Sequence, residues 1–273
     1  MTAPAVPLTL AAVYATLIAV AALWGSATGL LVPRAAYRLS VEPEEAWRES
    51  CRAGHAFTGP AQGWLGGACA DCATAVPARK AAGPAATRDT EAPAPRLVPL
   101  VTAIGCAALA AATGPRPELA VWLLLTPFAV LLALVDRNVH RLPDQLTLPL
   151  AAAAAALLGL AALLPGTAGS WPAALLGGLA LGAAYFVLFL IHPNGMGFGD
   201  VKLALSLGVV LGWYGWAVLF AGAFAGFLLG SVYGLGLIVL RRAGRKTAIP
   251  FGPFMIAGAL AGLLLGGLVA SRF

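Results

Sequence analysis

The chain has 273 residues, of which 60% are hydrophobic and only 10% charged, against roughly a quarter charged in an average soluble domain. A soluble core cannot hide that much apolar surface, so a bilayer is the natural solvent. Each crossing needs about 20 mostly apolar residues in a helix that satisfies its own backbone hydrogen bonds. The net charge of +6 comes without the basic stripe and interleaved aromatics of a nucleic-acid face, so no nucleic-acid partner is expected.

Uncharged apolar runs predict an all-α polytopic membrane protein with about eight transmembrane helices, near 7–32, 97–113, 119–135, 146–164, 172–191, 201–215, 217–240 and 249–270. The first run (1–32) has no Lys or Arg before it and is too long for a signal-peptide core, so it is expected to stay attached. The 33–96 segment is the one sizeable polar region. Glu42, Glu44, Glu45 and Glu49 lie there among basic residues, a pattern expected to form a short amphipathic helix. The stretch 76–95, rich in Ala, Pro and Thr, reads as a flexible linker. The remaining seven spans occupy 97–273. Two of them share the single run 203–240, with a break expected around Gly212-Trp213-Tyr214-Gly215. The 33 glycines suit close helix contacts inside a membrane.

Orientation follows from the 17 Lys and Arg. With loops taken alternately, 15 fall on one side and only Arg116 and Arg272 on the other; without 33–96 the division is 7 against 2. Positive charge marks the cytoplasmic side, so both termini are expected outside and 33–96 in the cytoplasm.

After Glu118 only three carboxylates occur in 155 residues: Asp136, Asp144 and Asp200. All three fall at the expected cytoplasmic ends of spans. An ionisable group at a membrane boundary is a candidate for function, although one such residue alone reads more simply as a helix end touching headgroups and water. Asp136 closes the apolar run 121–135 with no polar spacer, which puts it in the last turn of a helix. Asp200 follows Gly195-Met196-Gly197-Phe198-Gly199 and opens the next span. Helix N-capping is the plain explanation for Asp200, but alternating glycines also let a second backbone approach closely. Two carboxylates on neighbouring helices can share a proton, one activating water while the other donates to a scissile carbonyl.

The segment Gly197-Phe198-Gly199-Asp200, within GMGFGDVKLALSLG, resembles the GxGD signature of intramembrane aspartyl proteases, and its flanks resemble bacterial prepilin peptidases. The stretch from Asp136 to Thr147, DRNVHRLPDQLT, resembles that family's first active-site element, and Ile249-Pro250-Phe251-Gly252-Pro253-Phe254 resembles its IPFGPF element. The order matches, with 64 residues separating the two aspartates. The resemblance implies an aspartyl endopeptidase with Asp136 and Asp200 as the catalytic pair. It also implies that Gly197, Phe198, Gly199, Lys202, Pro250, Gly252 and Pro253 support the site. Asp144 is expected to cap its helix. Lys202 is expected either to tune Asp200 or bind a substrate carboxylate, or simply to anchor the topology. The implied substrates are prepilins or pseudopilins in the inner membrane, cut at its cytoplasmic face, with no cofactor needed for proteolysis.

Members of this family carry two CxxC pairs in the first cytoplasmic loop. This chain keeps Cys69-Ala70-Asp71-Cys72, and upstream has Cys51 with His55. Cys51, His55, Cys69 and Cys72 have the ligand types of a Cys₃His zinc site; a decayed loop with free thiols explains the same residues without metal. Cys106, inside an apolar run, reads as a small apolar residue. The family's second activity, N-methylation from S-adenosylmethionine, finds no glycine-rich nucleotide fingerprint in 33–96, so it is not expected to follow from the loop. The rival readings are a cation- or proton-coupled transporter and an assembly protein that has lost activity. Against the first stand the boundary positions of the aspartates and the lack of two-half symmetry; against the second stands the retention of both aspartates.

Overall fold

The computed structural model describes residues 6–42, 45–51, 53–66, 97–193, 195–241 and 249–271. Eight long helices lie among them: α1 (Val6–Leu39), α2 (Leu97–Thr113), α3 (Glu118–Val139), α4 (Asp144–Ala161), α5 (Trp171–Ile191), α6 (Phe198–Gly212), α7 (Trp216–Val239) and α8 (Gly252–Ala270). The protein is an all-α polytopic membrane protein. The expected number of about eight spans is not reproduced by length and hydropathy, because among the described residues six helices qualify: α1, α3, α4, α5, α7 and α8. Helix α2 has 17 residues. Helix α6 has only 15, about 22 Å against a hydrocarbon core of about 30 Å. It is buried along almost its whole length, from Asp200 to Gly212, so protein rather than lipid surrounds it. The break between α6 and α7 falls where expected, at Trp213–Gly215, with Gly215 at φ 99° supplying the turn that other residues rarely adopt.

Backbone proximity holds the bundle together. A Cβ at Gly208 of α6 would press into the Gly177 carbonyl and the Gly178 Cα of α5, and one at Gly258 of α8 would press into Gly222 and Gly226 of α7. Lipid tails are as apolar as leucine, so membrane helices gain their association from such close backbone packing. At one end of the bundle Ser170 N–H donates to the Trp213 carbonyl at 2.9 Å. At the other end Asn138 Nδ2 donates to Ser40 Oγ at 3.1 Å, and the ends of α3, α4, α6 and α8 converge.

The 33–96 segment differs from expectation. Helix α1 runs to Leu39 rather than ending near residue 32, and carries Arg34 and Arg38 with it. Arg34 donates to the Thr58 carbonyl at 3.1 Å. Arg38 donates to the Gln62 carbonyl at 3.0 Å and stacks 4.1 Å from the Trp64 ring centroid. The expected amphipathic helix around Glu42, Glu45 and Glu49 is not formed. The chain folds back on the open carbonyls of α1 instead: Arg48 N–H donates to Arg38 O at 3.3 Å. A hairpin follows, marked by the antiparallel bridge between Ser50 and Ala56. Glu44, the 76–95 linker, Cys69 and Cys72 lie outside the described residues, as do Arg242, Arg245 and Lys246.

Candidate active site

Asp136 sits one turn before the end of α3. That helix stops because His140 adopts a left-handed conformation (φ 51°, ψ 39°) while its N–H closes on the Asp136 carbonyl at 2.7 Å. A non-glycine residue there is uncommon and costs backbone energy. The turn at His140 sends the chain through Arg141, Leu142 and Pro143 into α4, beside the glycine-rich entry to α6.

Asp200 is not the cap of its helix. Gly197 occupies the N-cap position and Asp200 is three residues in, its carboxylate accepting the Gly197 N–H at 3.1 Å. This is the reaching-back half of a capping box, and it fixes the carboxylate at the helix mouth. Asp144 likewise does not cap α4, whose N-cap is Pro143 with no side-chain cap bond. It pairs with Lys202 instead, Nζ to Oδ2 at 2.6 Å. Lys202 also stands 4.7 Å from the Phe198 ring centroid, so its charge is drawn towards Asp144 and across Phe198.

The two aspartates come together. Asp136, Asp200, His140, Arg141, Leu142, Asp144, Gly197, Phe198, Gly199 and Lys202 line one cavity of about 270 Å³ at the end where α3, α4 and α6 meet. Both carboxylates are buried, at 4% and 8% exposure, and each has one oxygen fixed by a glycine N–H. The bond to Asp136 comes from Gly252 at 2.9 Å, 116 residues further along at the first position of α8. A Cβ at Gly252 would stand 2.8 Å from Asp136 Oδ2, and one at Gly199 would stand 2.9 Å from Leu142 Cβ. Glycine is therefore required at 199 for the α6 entry to lie against the turn after α3, and at 252 for α8 to hold Asp136.

Of the remaining residues singled out from sequence, Phe198 packs its ring against Phe189 at 5.4 Å and Phe186 at 6.5 Å. Pro250 and Pro253 flank Gly252 without lining this cavity. Two neighbours of the site escaped the sequence reading. His140 was part of a quoted stretch, but only the fold gives it a place in the cavity. Tyr185, buried in α5, has its ring 5.4 Å from Phe227 and 6.4 Å from Phe251, the residue before Gly252; nothing in its uncharged apolar surroundings marks it. Cys51 Sγ and His55 Nδ1 lie 3.5 Å apart across the hairpin. No group of three or more His, Cys, Asp or Glu arranged for a metal occurs among the described residues.

Two oxygen-fixed carboxylates facing one small cavity can hold a water between them and act on a carbonyl carbon. Residues 123–265, just over half of the chain, match the profile of the type IV leader peptidase family. The chain is 33% identical over 204 residues to a prepilin leader peptidase/N-methyltransferase of Aeromonas salmonicida, covering 74% of this chain and 64% of that protein. It is 35% identical over 209 residues to the protein of the same name from Aeromonas hydrophila, with 74% and 64% covered. A third relative so named, from Pseudomonas aeruginosa, is 31% identical over 214 residues, with 77% and 66% covered. The chain thus spans slightly less than two thirds of the length of these curated relatives. No solved structure matches it significantly.

Proposed function

The chain belongs to the type IV leader peptidase family, and from that premise we propose that it is an aspartyl endopeptidase that removes the short basic leader of prepilin-like substrates. The observation that carries the proposal is the placing of Asp136 and Asp200 on one cavity with each carboxylate held by a glycine N–H. One carboxylate, ionised, takes a proton from water as the water oxygen bonds to the scissile carbonyl carbon. The other, neutral, gives its proton to the carbonyl oxygen. On collapse of the tetrahedral adduct the first carboxyl gives the proton it took from water to the departing nitrogen as the C–N bond breaks, and the second takes back its proton from the oxygen as the carbonyl re-forms. Two carboxylates and a water complete the cycle, so no cofactor enters it.

The site is assigned to the cytoplasmic face of the inner membrane, supported by the 15-to-2 division of basic residues. A substrate whose apolar helix lies in the bilayer then presents its basic leader on the side where both aspartates open. The transporter reading gains no support from the family placement. The relatives' names couple the peptidase to an N-methyltransferase; the residues assembled here account for the proteolytic half.

The test is to incubate membranes containing the inserted protein with a prepilin-like peptide and sequence the new amino terminus. Release of the leader at the junction between its basic residues and the apolar helix is expected. A peptide left intact by well-inserted protein would overturn the proposal.

A further inference from the structure

A second, larger cavity runs alongside the aspartate pair and does not belong to it. It has a volume of about 380 Å³ and follows α3 from Trp122 to Arg137, walled by α2 and α8 and backed by α4 and α6. The 16 residues from Trp122 to Arg137 make this slot about 22 Å long. Half of a hydrocarbon core of about 30 Å is about 15 Å, so an acyl chain of one leaflet fits along that length.

The chemistry of the walls narrows the occupant further. The slot's two hydroxyls are already used within the protein: Thr126 Oγ1 donates to Trp122 O at 2.7 Å and Ser206 Oγ to Thr147 O at 3.2 Å. An extended peptide would leave its amides unsatisfied there, at high cost inside a bilayer. Arg137 is the one ionisable residue on the walls. It sits at the end of the slot nearest Asp136, and among the described residues it makes no salt bridge. Exposed Val101 and Ala257 line the slot from α2 and α8, so it opens sideways between these helices. They touch at the far end, where a Cβ at Gly267 would meet the Ala112 carbonyl.

We propose that this slot binds one phospholipid of the surrounding leaflet, an acyl chain lying along α3 and the headgroup phosphate held by Arg137. A tail gains little by leaving other tails for an apolar wall, so retention depends on the shape of the slot and on the charge-assisted contact at Arg137. The lipid packs against Pro253, next to the glycine whose N–H holds Asp136, and so braces the α8 end of the aspartate site. The inference stands without the peptidase reading, because its test reads bound lipid and not cleavage.

The full chain is delipidated in detergent, titrated with phosphatidylglycerol and examined by native mass spectrometry. One retained lipid per chain is expected for the wild type and for Leu190→Trp, a change on an exposed outer face of α5. Ala257→Trp, which fills the slot, should lose the adduct. Arg137→Gln should weaken retention by at least about tenfold. Should Ala257→Trp lose its helical circular dichroism, Val101→Trp fills the same slot from α2 and decides the question. No adduct on the wild type, or equal adducts on the wild type and the slot-filling variant, would mean annular lipid only and overturn the inference.

Discussion

Gly252 holds Asp136 with its backbone and has no side chain to push it away. In Gly252→Ala the added methyl would stand 2.8 Å from the carboxylate oxygen, moving either the acid or the first turn of α8. Misplacing a reacting group by even 1 Å costs about 100-fold. Gly252→Ala is therefore expected to lower the leader-release rate by about 100-fold with insertion intact, while Gly236→Ala, whose Cβ would meet nothing within 4 Å, leaves the rate unchanged. Asp144 gives the opposite case. Its side chain is 64% exposed, against 15% for its partner Lys202, and a pair with one charge in solvent contributes about 1 kcal/mol. Asp144→Asn should keep more than about a fifth of the wild-type rate in the same assay. The aspartates were legible in the sequence because carboxylates are so scarce after Glu118. The N–H of Gly252 was not, since it serves a residue 116 positions away, and Tyr185 looks like any other aromatic of an apolar helix.

The helices themselves were largely legible, because an uncharged run of about 20 residues has few alternatives to a span. Even the break at Gly215 followed from the length of the run 203–240. The departures occurred where charge is satisfied by a distant partner. Arg34 and Arg38 continue α1 beyond its apolar run because the returning chain accepts their hydrogen bonds. Residues 45–49 are not helical, and the Arg48 N–H is used on the Arg38 carbonyl at the end of α1. The α5–α6 seam gives a prediction at this scale. A side chain at Gly208 would collide with the Gly177 carbonyl and Gly178, and overpacking a close interface costs about 1–3 kcal/mol or more. Gly208→Val should lower the thermal unfolding midpoint in detergent, read by circular dichroism, far more than Gly236→Ala does.

Among the described residues, one end of the bundle carries the aspartate pair with 45–51 and 53–66, and the other the 162–170 connection. The orientation proposed from the charge division puts the first end in the cytoplasm. A cysteine introduced at Glu45 should react with an impermeant thiol reagent only after permeabilisation. One introduced at Leu163, 80% exposed at the opposite end, should react in intact cells. The reverse pattern would invert the topology and put the aspartates on the wrong side for a cytoplasmic leader. The account as a whole rests on the two aspartates acting as a unit, since neither carboxylate alone can both activate water and protonate the carbonyl oxygen. The direct measurement is the leader-release rate of Asp136→Asn and Asp200→Asn in membranes, with insertion confirmed. Asparagine keeps the size and the hydrogen-bonding capacity of the acid, so a purely structural role would survive the change. The account predicts that each variant falls by about 1,000-fold or more; cleavage by either at near wild-type rate would contradict it.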